Sequence, residues 1–177
     1  MDYLNAMFSL KGNVALVTGG SYGIGFAIAK ALARAGAVIA FNCRSQEHLD
    51  QAMKDYKREG IDAHGYICDV TDEIHVQQLV SEIEKTLGTI DILVNNAGII
   101  KRIPHVRHDD GRVPPGRRYR LSRPVHCIQS GHSRYDKKRP RQIINICSMM
   151  SELGRETVFG LCRSQRRSEN VNPQYLR

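Results

Sequence analysis

Glycines concentrate in one short segment, Gly19-Gly20-Ser21-Tyr22-Gly23-Ile24-Gly25. Glycine lets a backbone turn tightly and approach a ligand closely, and the free N–H groups at the start of a following helix bind phosphate oxygens. A short apolar run at residues 14–18 precedes the segment, and a helical apolar stripe that ends before Gly36 follows it. Strand, glycine turn and helix in this order predict a loop that binds the pyrophosphate of a dinucleotide.

The end of the second predicted strand, residues 38–41, bears on which dinucleotide binds. An acidic side chain at that point accepts hydrogen bonds from the ribose hydroxyls and repels a phosphate, which favours NAD. This chain has Asn42-Cys43-Arg44-Ser45 instead. Arg44 can hold a 2′-phosphate with two donors and Ser45 can add another, so we expect NADP as the cofactor. NAD stays open, because an arginine in a solvated loop is common.

Strands and helices alternate along the first hundred residues. The pattern predicts a helix over residues 46–59, a strand over 64–70, a helix capped by Thr71, and a strand over 90–94. This alternation produces right-handed βαβ units, so the predicted fold class is α/β, a doubly wound parallel sheet of the Rossmann type. Such sheets bind ligands at the carboxyl ends of their strands. The residues at those ends are Gly19, Asn42, Asp69 and Asn95.

Three motifs in this chain resemble those of the short-chain dehydrogenase/reductase family. They are the Thr-Gly-x-x-x-Gly-x-Gly loop at residues 18–25, Asp69-Val70 after the third strand, and Asn-Asn-Ala-Gly at residues 95–98. The resemblance implies an NAD(P)-dependent oxidoreductase that forms homo-oligomers, with Asp69 and Val70 at the adenine and residues 95–98 beside the cofactor. The cofactor contacts that we expect come from Gly19, Ser21, Tyr22, Gly23, Ile24, Gly25, Arg44, Ser45, Asp69, Val70, Asn95, Ala97 and Gly98.

Two longer stretches, residues 95–104 and 143–158, resemble the gluconate 5-dehydrogenases of bacteria. Related sugar-acid and 3-oxoacyl reductases share the general motifs but less of this sequence. That subfamily interconverts gluconate and 5-ketogluconate with NAD(P). The resemblance therefore implies a sugar-acid substrate.

The same resemblance locates the catalytic residues. In the family a Ser positions the substrate oxygen, a Tyr moves the proton, and a Lys lowers the pKa of that Tyr and binds the nicotinamide ribose. Ser148 matches the Ser, the alternative being an ordinary serine at a strand end. The family's spacing places Leu161 where the Tyr belongs and Gln165 where the Lys belongs. Neither side chain can act as a general acid or base, so we expect this chain to be inactive.

Residues 105–142 interrupt the family pattern. They contain five Val, Leu or Ile residues and four of the chain's six prolines. With Lys101 and Arg102 they carry a net charge of +10, so this stretch accounts for the chain's overall +8. Low apolar content with high charge predicts weak packing, as in a disordered basic linker or a nucleic-acid-binding arm. Few aromatic side chains and no groove-binding motif argue against nucleic acid as a partner.

A shifted reading frame accounts for the interruption more fully. Moving by one base, codon degeneracy permits residues 129–142 to read Lys-Ala-Val-Ile-Pro-Gly-Met-Ile-Lys-Lys-Gly-His-Gly-Lys, which suits an amphipathic helix. The same move lets residues 159–165 read Ser-Ala-Tyr-Ala-Ala-Ala-Lys, which restores the family's Tyr and Lys. We therefore expect a double frameshift, with aberrant segments at 105–142 and 159–177. It would disrupt the helix through which the family's subunits pack and leave the sheet truncated at its C-terminal end.

Composition sets the remaining expectations. At 177 residues the chain is expected to be one domain, here an incomplete dinucleotide-binding domain. It has no secretory leader and no long apolar run, which predicts no membrane span. The five cysteines form no Cys-x-x-Cys pair, which fits the reducing cytoplasm. The seven histidines lack the spacing of metal ligands, so no metal site is expected.

Overall fold

The computed structural model describes residues 7–98 and 142–146 of the chain. Within these ranges the elements in chain order are β1 (Val14–Thr18), α1 (Gly23–Arg34), β2 (Val38–Cys43), α2 (Gln46–Arg58), β3 (Ala63–Ile67), α3 (Glu73–Thr86), β4 (Ile90–Asn95) and β5 (Gln142–Asn145). The strands form one sheet in the order β3-β2-β1-β4-β5, and every neighbouring pair is parallel. The predicted fold class, a doubly wound parallel α/β sheet, is confirmed.

β1 lies at the centre of the sheet, and all five of its residues are buried. Its register pairs Val14 with Val38 on one side and with Ile90 on the other. The chain turns towards β2 and β3 on one side and later towards β4 and β5 on the other. This reversal next to β1 is the topological switch point at which open α/β sheets bind their ligands.

Both faces of the sheet are covered, which explains why its inner strands are apolar without alternation. On one face Leu16 and Leu93 belong to a buried cluster with Val76 and Ile83 of α3. On the opposite face Val17, Ile39 and Val94 belong to a cluster with Ala29 of α1 and Tyr56 of α2. Side chains from alternate positions of one strand therefore serve two separate cores.

Two predicted boundaries in the third βα unit were wrong. The strand predicted over residues 64–70 is Ala63–Ile67, because the chain leaves the ladder at Cys68 and turns towards the top of the sheet. The helix predicted to be capped by Thr71 is capped by Asp72, whose Oδ1 accepts the N–H groups of Ile74 at 2.9 Å and His75 at 3.2 Å. Thr71 does not take that role, and its hydroxyl donates to Asp69 Oδ1 at 2.8 Å.

Other boundaries differ by one or two residues. β2 runs to Cys43, two residues beyond the predicted end, and β5 begins at Gln142, the last residue of the segment predicted to be aberrant. Most of that segment, residues 105–141, lies outside the described residues, as do Ser148, Leu161, Gln165 and the segment 159–177.

Two searches of the described part of the chain gave no result. No helix in it is long and apolar enough to cross a lipid bilayer. None of its groups of three or more His, Cys, Asp or Glu side chains lies close enough together to hold a metal ion.

Candidate functional site

A cavity of about 350 Å³ opens at the carboxyl end of the sheet, over the switch point. Its volume falls within the usual range for small-molecule sites. Eleven of the thirteen residues predicted to contact a cofactor line it: Gly19, Ser21, Tyr22, Gly23, Ile24, Gly25, Arg44, Ser45, Val70, Ala97 and Gly98.

Two glycines in the loop after β1 are there because no side chain fits. Gly19 has φ +66°, and a Cβ at this position would lie 2.9 Å from the Cα of Ala97. A Cβ on Gly25 would collide with the carbonyl oxygen of Gly19. The loop therefore folds back against the start of α1 and against the segment after β4, which brings backbone groups from all three to the cavity.

Hydrogen bonds join the loop after β1 to the segment after β4. The Asn96 side chain donates from Nδ2 to the carbonyl oxygens of Thr18 at 3.0 Å and Gly19 at 3.2 Å. In return, Thr18 Oγ1 accepts the N–H groups of Asn96 and Ala97, each at 3.0 Å, and donates to the carbonyl of Val94 at 3.2 Å. The two sides of the cavity are thus held at a fixed separation.

Asn42 joins the ends of β1, β2 and β3 beneath the same cavity. It is buried, and its Oδ1 accepts the Gly19 N–H at 3.3 Å while its Nδ2 donates to the Cys68 carbonyl at 2.9 Å. An aspartate at this position would have no N–H group to donate to that carbonyl. The amide satisfies both groups and adds no negative charge below the cavity.

The buried side chain of Tyr56 supports the glycine loop through a hydrogen bond. It belongs to α2, it is 1% exposed, and its hydroxyl donates to the Gly20 carbonyl at 2.7 Å. Its ring lies 4.9 Å from that of Phe41 and 4.5 Å from that of Phe26, measured between centroids. Burial raises the pKa of Tyr56 well above its ordinary value. The hydroxyl therefore stays protonated and keeps donating.

The start of α1 is suited to an anion. Tyr22 precedes the first turn and makes no capping hydrogen bond through its side chain, and the first turn holds no acidic residue. By contrast, Ser45 caps α2 and Asp72 caps α3. The positive end of the α1 dipole and its N–H groups face the glycine loop, which is the arrangement that binds phosphate in this kind of sheet.

The charge of the cavity also suits an anion. Arg44 lines it, and none of the described lining residues is acidic. Arg44 follows β2 directly, the position at which a ribose lies in dinucleotide-binding sheets. Of the known dinucleotides, the one that carries a phosphate on this ribose gains most from a guanidinium there.

Two predicted contact residues do not line the cavity. Asp69 Oδ1 accepts the N–H of Thr71 at 2.9 Å and so holds the turn that contains Val70. Asn95 is buried at the end of β4, where its Nδ2 donates to Asn145 Oδ1 of β5 at 2.9 Å. Among the described residues its Oδ1 has no hydrogen-bond partner.

Three lining residues, Cys43, His48 and Cys68, escaped prediction from the sequence. The cysteines carry no motif, and burial raises the pKa of both thiols, that of Cys68 to about 11, so neither is a ready nucleophile. His48 is the third residue of α2 and lines the cavity, where its ring contacts the Tyr22 ring with centroids 5.6 Å apart. No sequence signal links two residues 26 positions apart in this way.

Comparisons with known proteins identify the family to which the chain is similar. A family model described as short chain dehydrogenase matches residues 13–160. A 2-dehydro-3-deoxy-D-gluconate 5-dehydrogenase from Formosa agariphila is 44% identical over 86% of this chain, and a gluconate 5-dehydrogenase from Gluconobacter oxydans is 42% identical over 84%. The chain spans 58% of the length of each of these two relatives.

A solved structure is also similar to this chain in its fold. A gluconate 5-dehydrogenase from Burkholderia cenocepacia, in complex with NADP and tartrate, superimposes with a TM-score of 0.85 at 32% identity. The match covers 97% of this chain and 67% of the other.

Proposed function

Because the chain belongs to the short-chain dehydrogenase family, we propose that the cavity above β1 binds NADP. The observation that carries the proposal is the cavity lining itself, a glycine loop at an uncapped helix start together with Arg44 and no described acidic residue. The similar Burkholderia protein carries NADP, which supports this choice over NAD.

Each part of the cavity has a role in this proposal. The N–H groups of the loop and of the first turn of α1 hold the pyrophosphate, while Arg44 and Ser45 hold the 2′-phosphate. Val70, Ala97 and Gly98 flank the base and the ribose. Asp69 and Asn95 act from outside the cavity, since one fixes the turn that positions Val70 and the other fixes the end of β4.

We propose a sugar acid as the substrate of the lineage, with gluconate and 5-ketogluconate interconverted. The support is the similarity to sugar-acid dehydrogenases from Formosa and Gluconobacter. When bound, NADPH would supply the hydride for the reduction and NADP⁺ would accept it in the oxidation. Ser148, which matches the family's Ser, would hold the substrate oxygen through its hydroxyl.

For this particular chain we propose that the chemistry fails although the nucleotide binds. Leu161 and Gln165 stand where the family has its Tyr and Lys, and neither can exchange a proton with the substrate oxygen. The alternative function is therefore that of a non-catalytic nucleotide-binding fragment, the product of a pseudogene-like copy. The double frameshift predicted from the sequence is the origin that we propose for it.

Arg44 provides the test of the cofactor proposal. Titration of the purified chain with NADPH and with NADH, followed by nucleotide fluorescence, gives the two dissociation constants. We expect Arg44→Ala to raise the Kd of NADPH by about tenfold or more and to change that of NADH little, because only NADPH carries the 2′-phosphate. Equal losses for both nucleotides would exclude a 2′-phosphate role for Arg44.

Arg58→Ala is the matched control. Arg58 is an exposed arginine of α2 that pairs with Asp55 one turn away and does not line the cavity. This variant removes the same charge from the protein while leaving both affinities unchanged. A loss of NADPH affinity in Arg58→Ala as large as that in Arg44→Ala would mean that net charge alone attracts the nucleotide.

A further inference from the structure

We infer that His48 is a further specificity-determining residue, which helps the cavity to select NADP over NAD by contacting the 2′-phosphate beside Arg44. The inference rests on the proposed function, since it assumes that the cavity holds a dinucleotide. It adds a residue that the family motifs do not indicate.

The location of His48 supports this role. The cavity is lined at the end of β2 by Arg44, Ser45 and His48 together, and this end is where the ribose of the adenosine lies in dinucleotide-binding sheets. His48 is the third residue of α2, and its N–H donates to Ser45 Oγ at 3.3 Å. Because the Ser45 oxygen accepts that bond, its own O–H remains available to donate to a ligand.

The ring of His48 is positioned from across the cavity. The Tyr22 ring meets it edge-on, with centroids 5.6 Å apart and an interplanar angle of 61°. Tyr22 belongs to the glycine loop, so the contact joins the loop that holds the pyrophosphate to the helix that follows β2. Both side chains are exposed, and each ring restricts the rotamers open to the other, which lowers the entropy that His48 loses when a phosphate binds to it.

The charges around His48 favour an anionic ligand. The turn before α2 contributes Arg44 to the cavity lining, and the glycine loop contributes Tyr22. The ends of β2 and β3 contribute Cys43 and Cys68, whose thiols are neutral. On α2 itself Glu47 and Asp50 do not line the cavity, although the negative charge of Asp50 acts on the Cys43 thiol. The imidazole N–H of His48 can donate a hydrogen bond to a phosphate oxygen.

The experiment compares the dissociation constants of NADPH and NADH for the full chain and for His48→Gln. We expect His48→Gln to raise the Kd of NADPH by about threefold or more and to change that of NADH little, because only NADPH carries the 2′-phosphate.

His75→Gln is the matched control. His75 is also the third residue of its helix, α3, and its N–H also donates to the capping side chain, but it does not line the cavity. The His75→Gln variant should bind NADPH and NADH with the dissociation constants of the unaltered chain. Tyr22→Phe keeps the ring contact with His48 and should keep the preference for NADPH over NADH, whereas Tyr22→Ala should reduce that preference.

The outcomes separate this inference from the function on which it rests. If Arg44→Ala weakens NADPH binding selectively while His48→Gln leaves the Kd of NADPH unchanged, the role of His48 is excluded and NADP binding stands. Equal losses of NADPH and NADH in His48→Gln would make His48 a structural residue of the cavity. If the full chain binds neither nucleotide, both proposals fall together.

Discussion

Tyr56 shows how a single buried hydroxyl can support a ligand site that it does not touch. Its O–H donates to the Gly20 carbonyl at 2.7 Å from the opposite side of the glycine loop. Tyr56→Phe keeps the ring packing against Phe41 and removes that donor. We expect a loss of about 1–2 kcal/mol in the free energy of unfolding, because a buried carbonyl loses its partner. Urea denaturation measures it, and an unchanged midpoint would contradict the importance of this bond.

Because burial raises the pKa of Tyr56, Tyr56→Phe should also change how the stability of the protein depends on pH. In the unfolded chain a tyrosine ionises near pH 10, whereas burial keeps the folded Tyr56 neutral to higher pH. The stability that Tyr56 contributes is therefore fully present below pH 10 and is lost as the pH rises through that region. Between pH 9 and 11 Tyr56→Phe should lose less stability than the unaltered chain. Cys68, whose pKa burial raises to about 11, adds a similar loss to both proteins.

Site residues were predictable from the sequence where neighbouring residues in the chain form the site, and not where contacts between distant residues form it. The glycine loop was predictable because strand, glycines and helix are contiguous in the chain. His48 was not, because its contact with the Tyr22 ring joins two residues that are distant in the sequence. Asp69 was predicted as a cofactor contact from the resemblance to the family; it does not line the cavity, and its carboxylate accepts hydrogen bonds from Thr71 in a local turn.

Among the elements, α3 depends on its cap. Asp72 accepts two N–H groups of the first turn, and the helix covers one face of the sheet with Val76, Val80 and Ile83. Asp72→Ala should destabilise the protein by about 1 kcal/mol, a typical loss for an N-cap. Asp62→Ala, in the exposed turn before β3, is the control and should have little effect. Thermal unfolding of both variants checks this, and equal melting temperatures would contradict the capping role.

The boundaries of strands were predictable only where burial and hydrogen bonding end together. At β1 both do, and the apolar run at residues 14–18 coincides with the strand. At β3 they do not, because Cys68 and Val70 remain buried after the ladder has ended at Ile67. The N–H of Cys68 still donates to the Cys43 carbonyl at 2.9 Å, and its own carbonyl accepts from Asn42. These residues are apolar because they line the cavity and the core beneath it.

In the whole molecule, binding and catalysis draw on different parts of the chain. The pyrophosphate loop, Arg44 and the residues after β4 all come from the first hundred residues, and they are assembled in the described structure. The positions that we propose for the family's catalytic Ser, Tyr and Lys are residues 148, 161 and 165, which follow β5 in the chain. The proposed double frameshift would alter this second group of residues and leave the first group intact. Nucleotide binding and turnover should therefore be separable in this protein.

That separation gives the final prediction, made for the purified 177-residue chain with its intact mass verified. We expect NADPH to bind but 5-ketogluconate to cause negligible NADPH oxidation, because Leu161 cannot supply general acid–base catalysis, typically worth about 10²- to 10⁴-fold. Leu161→Tyr together with Gln165→Lys should not restore turnover, since residues 105–142 still depart from the family pattern. A chain translated in the restored frame from residue 105, over the full length of its relatives, should turn over. Robust oxidation by the unaltered chain would overturn both the catalytic assignment and the frameshift.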